Sequence, residues 1–403
     1  MVLSPTLRSE MLLCLFSLLI APIGASELAA TNSSGLIGKV NFELIDNRIF
    51  LNVRLNGQGP FHLILDTGAS LAVNPEVARK AGLKVEREGE TGGVGEKTVR
   101  EQYSHARSLE FGPVALTNVD CSILSTSDAS YVFGKIPVDG YFGLEVFEKY
   151  VVQHDYIKHE LTFYKPTEFS YQGPGVSVPF ERMGNIPVIN ASFDGIEAKF
   201  GVDTGARSAL ILYGPFVATN KIAERYQAKF QGVSGWGVGG PVRSFMVRSK
   251  TLKVGNVELR ELIARLSLNK SGGTATTSKA GLIGPDVLKQ FIFICDYSRH
   301  RLIFEKNEDF GRHDTYDRAG VWLSQKQNVF EVFDVIPGGP AAKAGLTAGD
   351  EVVAIDGVST SRLTLTEVRD EWKMLNPGTE IKLQVQSTHG EKRLVKLVLQ
   401  DLV

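Results

Sequence analysis

At 403 residues, with 44 Lys+Arg against 45 Asp+Glu and a formal net charge of −1, the chain has room for two or three domains. Its charge is too evenly balanced to favour nucleic acid or an anionic membrane surface, and no basic stripe changes that. With 43% hydrophobic residues there is enough apolar content for a core in each domain.

The one strongly apolar segment, Met11 to Ile23, follows Arg8 and precedes Gly24-Ala25-Ser26. That layout predicts a signal peptide over residues 1–25, and at about 13 residues the segment is short for a membrane span. Export and no stable membrane insertion after its removal are the expectations. Residues 26–37, rich in small side chains, read as a flexible lead-in. Residues 38–167 and 175–306 then share a texture of short alternating segments separated by Gly, Asn and Asp, which predicts antiparallel β structure. Short helices are expected at Pro75 to Ala81 and around Ala218 to Tyr226.

The two units repeat each other. Phe61-His62-Leu63-Ile64-Leu65 runs into Asp66-Thr67-Gly68-Ala69, and Ala198-Lys199-Phe200-Gly201-Val202 runs into Asp203-Thr204-Gly205-Ala206. Further on, Gly140-Tyr141-Phe142-Gly143, Asp155-Tyr156, His159, Leu161 and Phe163 recur at constant spacing as Gly281-Leu282-Ile283-Gly284, Asp296-Tyr297, His300, Leu302 and Phe304. A long repeat present twice predicts two lobes from a duplication. Each unit also carries a glycine-rich stretch flanked by strand formers: Gly92-Gly93-Val94-Gly95, and Gly235-Trp236-Gly237-Val238-Gly239-Gly240. Either could be a mobile hairpin or a plain surface turn.

Two strand-tip carboxylates in matched loops point to a pair that shares one proton and activates water. With alanine at 69 and 206, no side-chain hydroxyl supports an ionised pair there, so activity is expected nearer mildly acidic or neutral pH than strongly acidic. Ser70 and Arg207 break the symmetry, and Arg207 reads as an acid partner, a substrate contact or a surface salt bridge. Asp139 and Asp286 read as turn and helix-cap residues, and His159 and His300 as structural. Cys121 and Cys295 fall at unmatched positions, which favours two buried free thiols over a bridge; no metal site or cofactor is expected.

Residues 307–316 are charged and polar and read as a linker. Residues 317–403 differ in character, with Pro337-Gly338-Gly339-Pro340-Ala341-Ala342-Lys343-Ala344-Gly345-Leu346, then Gly349-Asp350-Glu351-Val352-Val353-Ala354-Ile355-Asp356-Gly357, a helical stretch Thr364 to Leu375 and two final strands.

The paired Asp-Thr-Gly loops and the later Tyr141-Phe142-Gly143 and Leu282-Ile283-Gly284 resemble aspartic peptidases of the retropepsin and pepsin kind, over nearly all of 38–306. The resemblance implies a mostly β, bilobal fold with the active site between the lobes. It implies Asp66 and Asp203 as catalytic residues, with Thr67, Gly68, Thr204 and Gly205 supporting the loops. Gly93, Val94 and Gly95, with Trp236 and Gly237, become flap candidates. Residues 317–403 resemble a small α+β PDZ domain of the permuted bacterial type. That implies a loop, Gly320-Val321-Trp322-Leu323, receiving a C-terminal carboxylate or an internal peptide segment, with the next strand pairing by β-augmentation. The whole reads as a bacterial, periplasmic or extracellular aspartic endopeptidase acting on peptides or unfolded proteins. The alternative is a non-catalytic exported adaptor in which the PDZ domain does the binding and the lobes are a degenerate scaffold.

Overall fold

The computed structural model describes residues 35–403, so the expected signal peptide lies outside the described residues. Among the described residues no helix is long and apolar enough to cross a membrane.

Alternation becomes strands. The first lobe is an 8-stranded sheet in the order Glu43–Ile45, Arg48–Leu55, Gln58–Leu65, Gly140–Phe142, Ala72–Val73, Val114–Ile123, Thr98–Phe111 and Arg87–Gly92. Leu63 and Leu65 of Gln58–Leu65 are fully buried, and this strand runs parallel to Gly140–Phe142, with Leu65 opposite Phe142. The second lobe repeats the device: Ile196–Val202 runs parallel to Gly281–Ile283, with Val202 opposite Ile283.

The lobes are joined by backbone as well as by packing. A strand order of Leu36–Asn41, Glu160–Tyr164, Val151–Asp155, Phe291–Asp296, Arg301–Lys306 and Val176–Met183 opens the 15-stranded sheet. Within it, Val152 pairs with Cys295 and His154 with Phe293 across the lobe boundary. The matched His159 and His300 both take the left-handed conformation, with φ of 52° and 49°, at the turn before Glu160–Tyr164 and Arg301–Lys306. Cys121 and Cys295 are buried and free. The first expected helix forms at Pro75–Lys80, capped by the Asn74 side chain. The second splits into Gly214–Thr219 and Ile222–Arg225, because Lys221 is left-handed at φ 50° and interrupts the helical path.

The C-terminal unit is a 6-stranded sheet in the order Val321–Lys326, Val329–Val335, Glu351–Ile355, Glu380–Gln386 and Lys392–Val398, with Val358–Ser359 beside Glu351–Ile355. Helix Leu365–Met374, capped by Thr364, presents Leu365, Val368 and Trp372 to a core separate from that of the lobes. The segment expected as a linker is folded against the lobes: Asn307 N–H bonds Gln290 O at 3.2 Å, and the Asp314 carboxylate accepts from Ile263 N–H at 2.8 Å.

Candidate active site

Each Asp-Thr-Gly loop begins where its strand runs out. The neighbouring parallel strand takes the aspartate's own backbone: Asp66 N–H donates to Phe142 O at 2.8 Å, and Asp203 N–H to Ile283 O at 2.9 Å. The chain then turns, and the loop amides point back at the carboxylates. Gly68 N–H reaches Asp66 Oδ1 at 2.6 Å; Gly205 and Ala206 N–H reach Asp203 Oδ1 at 2.9 and 3.1 Å. Gly205 is required for closeness, since a Cβ there would stand 2.2 Å from Asp66 Oδ2.

Thr67 and Thr204 tie the two tips together. Thr67 N–H donates to Thr204 Oγ1 at 3.0 Å and Thr204 N–H to Thr67 Oγ1 at 3.1 Å. Each hydroxyl in turn donates to the carbonyl preceding the opposite aspartate, Thr67 to Val202 O at 2.8 Å and Thr204 to Leu65 O at 3.3 Å. Both threonines are 0% exposed, so no water competes for these bonds.

The result is a pair of carboxyl groups within hydrogen-bonding reach of each other, facing one cleft of ≈ 790 Å³. Burial and then the neighbouring Asp203 charge push Asp66 up to about 8. Burial also raises Asp203, against the opposing pull of its amide donors and Arg48. Such a pair holds one proton between them over a wide pH range.

Arg48 and Asp46 were not singled out in the sequence. Asp46 and Asn47 form a tight turn, both with positive φ of 48° and 66°, which aims Arg48 across the lobe boundary so that its Nε donates to Gly205 O at 3.0 Å. Asp46, 4% exposed, pairs with both Arg48 and Arg207, the latter at 2.5 Å. Burial pulls Asp46 upward, but Arg207 and Arg48 outweigh it and hold its carboxyl low. Arg207 is therefore the acid partner of Asp46 and not a surface salt bridge, and it also lines the cleft. Asp139 accepts His62 N–H at 2.9 Å and Asn74 Nδ2 at 3.4 Å, a turn role. Asp286 differs from the expected cap. It lies inside helix Pro285–Leu288, 7% exposed, and pairs with Lys289 at 2.7 Å and with Lys373 of the C-terminal unit at 3.6 Å. The turn signal of Asp46-Asn47 was readable; its partners, from distant parts of the chain, were not.

The glycine-rich stretches are hairpin turns that meet above the cleft. Gly95 N–H donates to Val238 O and Lys97 N–H to Gly239 O, both at 3.1 Å, and Gly273 N–H reaches Gly93 O at 2.8 Å. Small residues are needed here: a Cβ on Gly95 would lie 2.1 Å from Gly239 C, and one on Gly237 would lie 2.5 Å from Val94 Cγ2. Trp236 lines the cleft and is held from the side. It stacks on Tyr131 at 4.1 Å and 3°.

The expected carboxylate-receiving loop of the C-terminal unit already holds a carboxylate, its own. Gly320 and Val321 N–H donate to Asp317 Oδ2 at 3.0 and 3.4 Å. Trp322 is 5% exposed and donates its Nε1–H to Tyr131 O at 3.2 Å, while Leu323 O accepts from Arg369 at 2.5 Å. The edge of Val321–Lys326 is covered by lobe-1 helix Ser130–Phe133. The sequence could not show this, because the covering segment is far away in the chain.

Residues 51–146 match the family model for aspartyl protease, and residues 331–387 match the model for PDZ domain. The chain carries an aspartyl-protease-like domain and a PDZ domain. A carboxy-terminal-processing protease of Bartonella bacilliformis is 35% identical over 85 residues, 21% of this chain and 19% of that protein, so the match spans about a fifth of the relative's length. Among solved structures, the aspartic proteinase from Irpex lacteus aligns at a TM-score of 0.48 and 14% identity, over 68% of this chain and 98% of that one. The protease-like domain contributes the dyad, and the PDZ domain packs against helix Ser130–Phe133 and strand Gln231–Gly237, which border the cleft.

Proposed function

We propose that this chain is an aspartic endopeptidase in which Asp66 and Asp203 activate a water held between them. The observation that carries the reading is the reciprocal Thr67–Thr204 bonding, which fixes two strand-tip carboxyls face to face in one cleft. The ionised partner takes a proton from the water as its oxygen bonds to the peptide carbonyl carbon. The protonated partner donates a hydrogen bond to the carbonyl oxygen as it gains charge. Collapse of the tetrahedral species breaks the C–N bond, and the leaving nitrogen takes a proton from the dyad. Substrates are peptides or unfolded protein segments, threaded beneath the joined hairpins, in the compartment reached after export.

The adaptor reading needs a PDZ groove open to partners. It is disfavoured by Trp322 and Arg369, which bind the lobe-1 segment instead. The test is a broad peptide library incubated with purified protein, with cleavage sites identified by mass spectrometry and Asp66→Asn and Asp203→Asn as controls. Cleavage by wild type and by neither variant supports the peptidase. No cleavage by any of the three gives the adaptor reading the field.

A further inference from the structure

Beyond its expected part in peptide capture, the PDZ domain grips the roof of the cleft. We propose that it is the positioning element of the lobe-2 hairpin, with Asp334 as the residue that makes the contact. The hairpin comprises strands Gln231–Gly237 and Gly240–Arg248. One Asp334 carboxylate holds both of them. Its Oδ2 accepts Val233 N–H at 2.7 Å, and its Oδ1 accepts Arg243 Nη2 at 2.8 Å. The hairpin ladder is irregular between Val233 and Gly235, so the outside acceptor engages it at its least regular point.

The preceding residue reinforces the grip. Phe333 meets Trp236 edge-on at 5.0 Å and Tyr131 edge-on at 5.5 Å, while Tyr131 and Trp236 stack face to face. Three rings, one from each lobe and one from the PDZ domain, thus form a single junction at the shoulder of the hairpin. Below it, Arg369 donates to Tyr131 O at 3.0 Å and Val132 O at 2.6 Å, and Val132 and Phe133 line the cleft. The PDZ domain therefore touches both the roof and a wall of the cavity that holds Asp66 and Asp203. Asp334 touches no reacting atom; it acts through the placement of the hairpin. A peptide pairing with the edge of Val321–Lys326 has to displace Ser130–Phe133 first.

The kinetic consequence rests on the peptidase reading; the structural one does not. Amide hydrogen exchange on the full chain separates them. In Asp334→Ala, residues 231–248 are expected to exchange about tenfold faster than in wild type, a change equivalent to roughly 1.4 kcal/mol in local opening. The strands over 186–202 stay unchanged. Asp334→Asn, which keeps an acceptor for Val233 N–H but loses the charge facing Arg243, gives an intermediate rate. In peptide cleavage, Asp334→Ala raises KM while kcat stays within about twofold. Equal exchange over 231–248 in wild type and Asp334→Ala overturns the proposal, as does an equal acceleration over 186–202. Should Asp334→Ala fail to fold, Arg243→Ala makes the same comparison from the hairpin side. Faster hairpin exchange without cleavage by any protein sinks the peptidase reading and leaves the clamp standing.

Discussion

Replacing Thr204 by valine keeps the shape of the side chain and deletes its hydroxyl. That hydroxyl accepts Thr67 N–H at 3.0 Å and donates to Leu65 O at 3.3 Å, in a site that is 0% exposed. Valine therefore strands a buried donor and a buried acceptor, each worth about 1–3 kcal/mol when left unpaired, for a total loss of roughly 2–6 kcal/mol. Thr204→Ser keeps both bonds and loses a methyl group, so it is expected to cost only about 1 kcal/mol. The assay is urea unfolding followed by circular dichroism, with kcat measured on the same preparations. Because Leu65 and Thr67 flank Asp66, relaxation of the tip also moves a carboxyl, and kcat is expected to fall about 100-fold in the valine variant. Thr67→Val and Thr204→Val break separate bonds at adjoining sites, so together they should cost less than the sum of the singles, because the loops relax as one. Thr204→Val with wild-type stability and kcat would refute the claim that the crossed hydroxyls hold the dyad.

Other consequences follow from the buried groups. His154 is 0% exposed, and burial lowers it to about 4. The unfolded chain binds this proton near its ordinary value while the folded chain does not, so stability is full above about 6.5 and falls by roughly 3 kcal/mol as pH drops toward 4. His154→Phe should flatten that part of the stability–pH curve, and an unchanged slope would place the acid sensitivity elsewhere. Lys373→Met removes the PDZ-side partner of Asp286 at 3.6 Å, with an expected cost of about 1 kcal/mol because Lys289 at 2.7 Å still pairs that carboxylate. Limited proteolysis across residues 307–316 should then quicken, and an unchanged rate would dismiss the ion pair as a tether. Cys121, pushed up to about 12 by burial, and Cys295, also raised by burial, should resist alkylation until the protein unfolds. Rapid labelling of either in native protein would contradict their placement.

What the sequence made legible is what local pattern encodes. Apolar runs mark the ends of Gln58–Leu65 and Ile196–Val202, and Asp66 and Asp203 follow directly after them. The repeat marks His159 and His300, which occupy equivalent left-handed turns. Glycine clusters mark the hairpins, because only small residues permit the approach of Gly95 to Gly239. Partners supplied by remote segments left no such pattern. Asp46 with Arg207, Asp286 with Lys373 and Asp334 with Val233 and Arg243 each join separate sheets or domains. Charge type alone suits each of these residues equally to the surface. Their burial is decided by how the units dock, and docking depends on shapes that no single segment carries. The same reason hid Tyr131, which takes the Trp322 indole from a distant segment; Asp317, just ahead of Gly320-Val321-Trp322-Leu323, was a local signal and accepts from the first two loop amides.

The pH dependence of kcat/KM tests most directly the claim that Asp66 and Asp203 work as a pair with one shared proton. The singly protonated pair is the working form. Lowering pH adds a second proton and raising pH removes the first, so each change stops water activation and the profile has two limbs. Burial and the Asp203 charge raise Asp66 to about 8, so the maximum is expected between mildly acidic and neutral pH. A maximum near pH 2, or no hydrolysis at any pH by well-folded protein, would contradict the account.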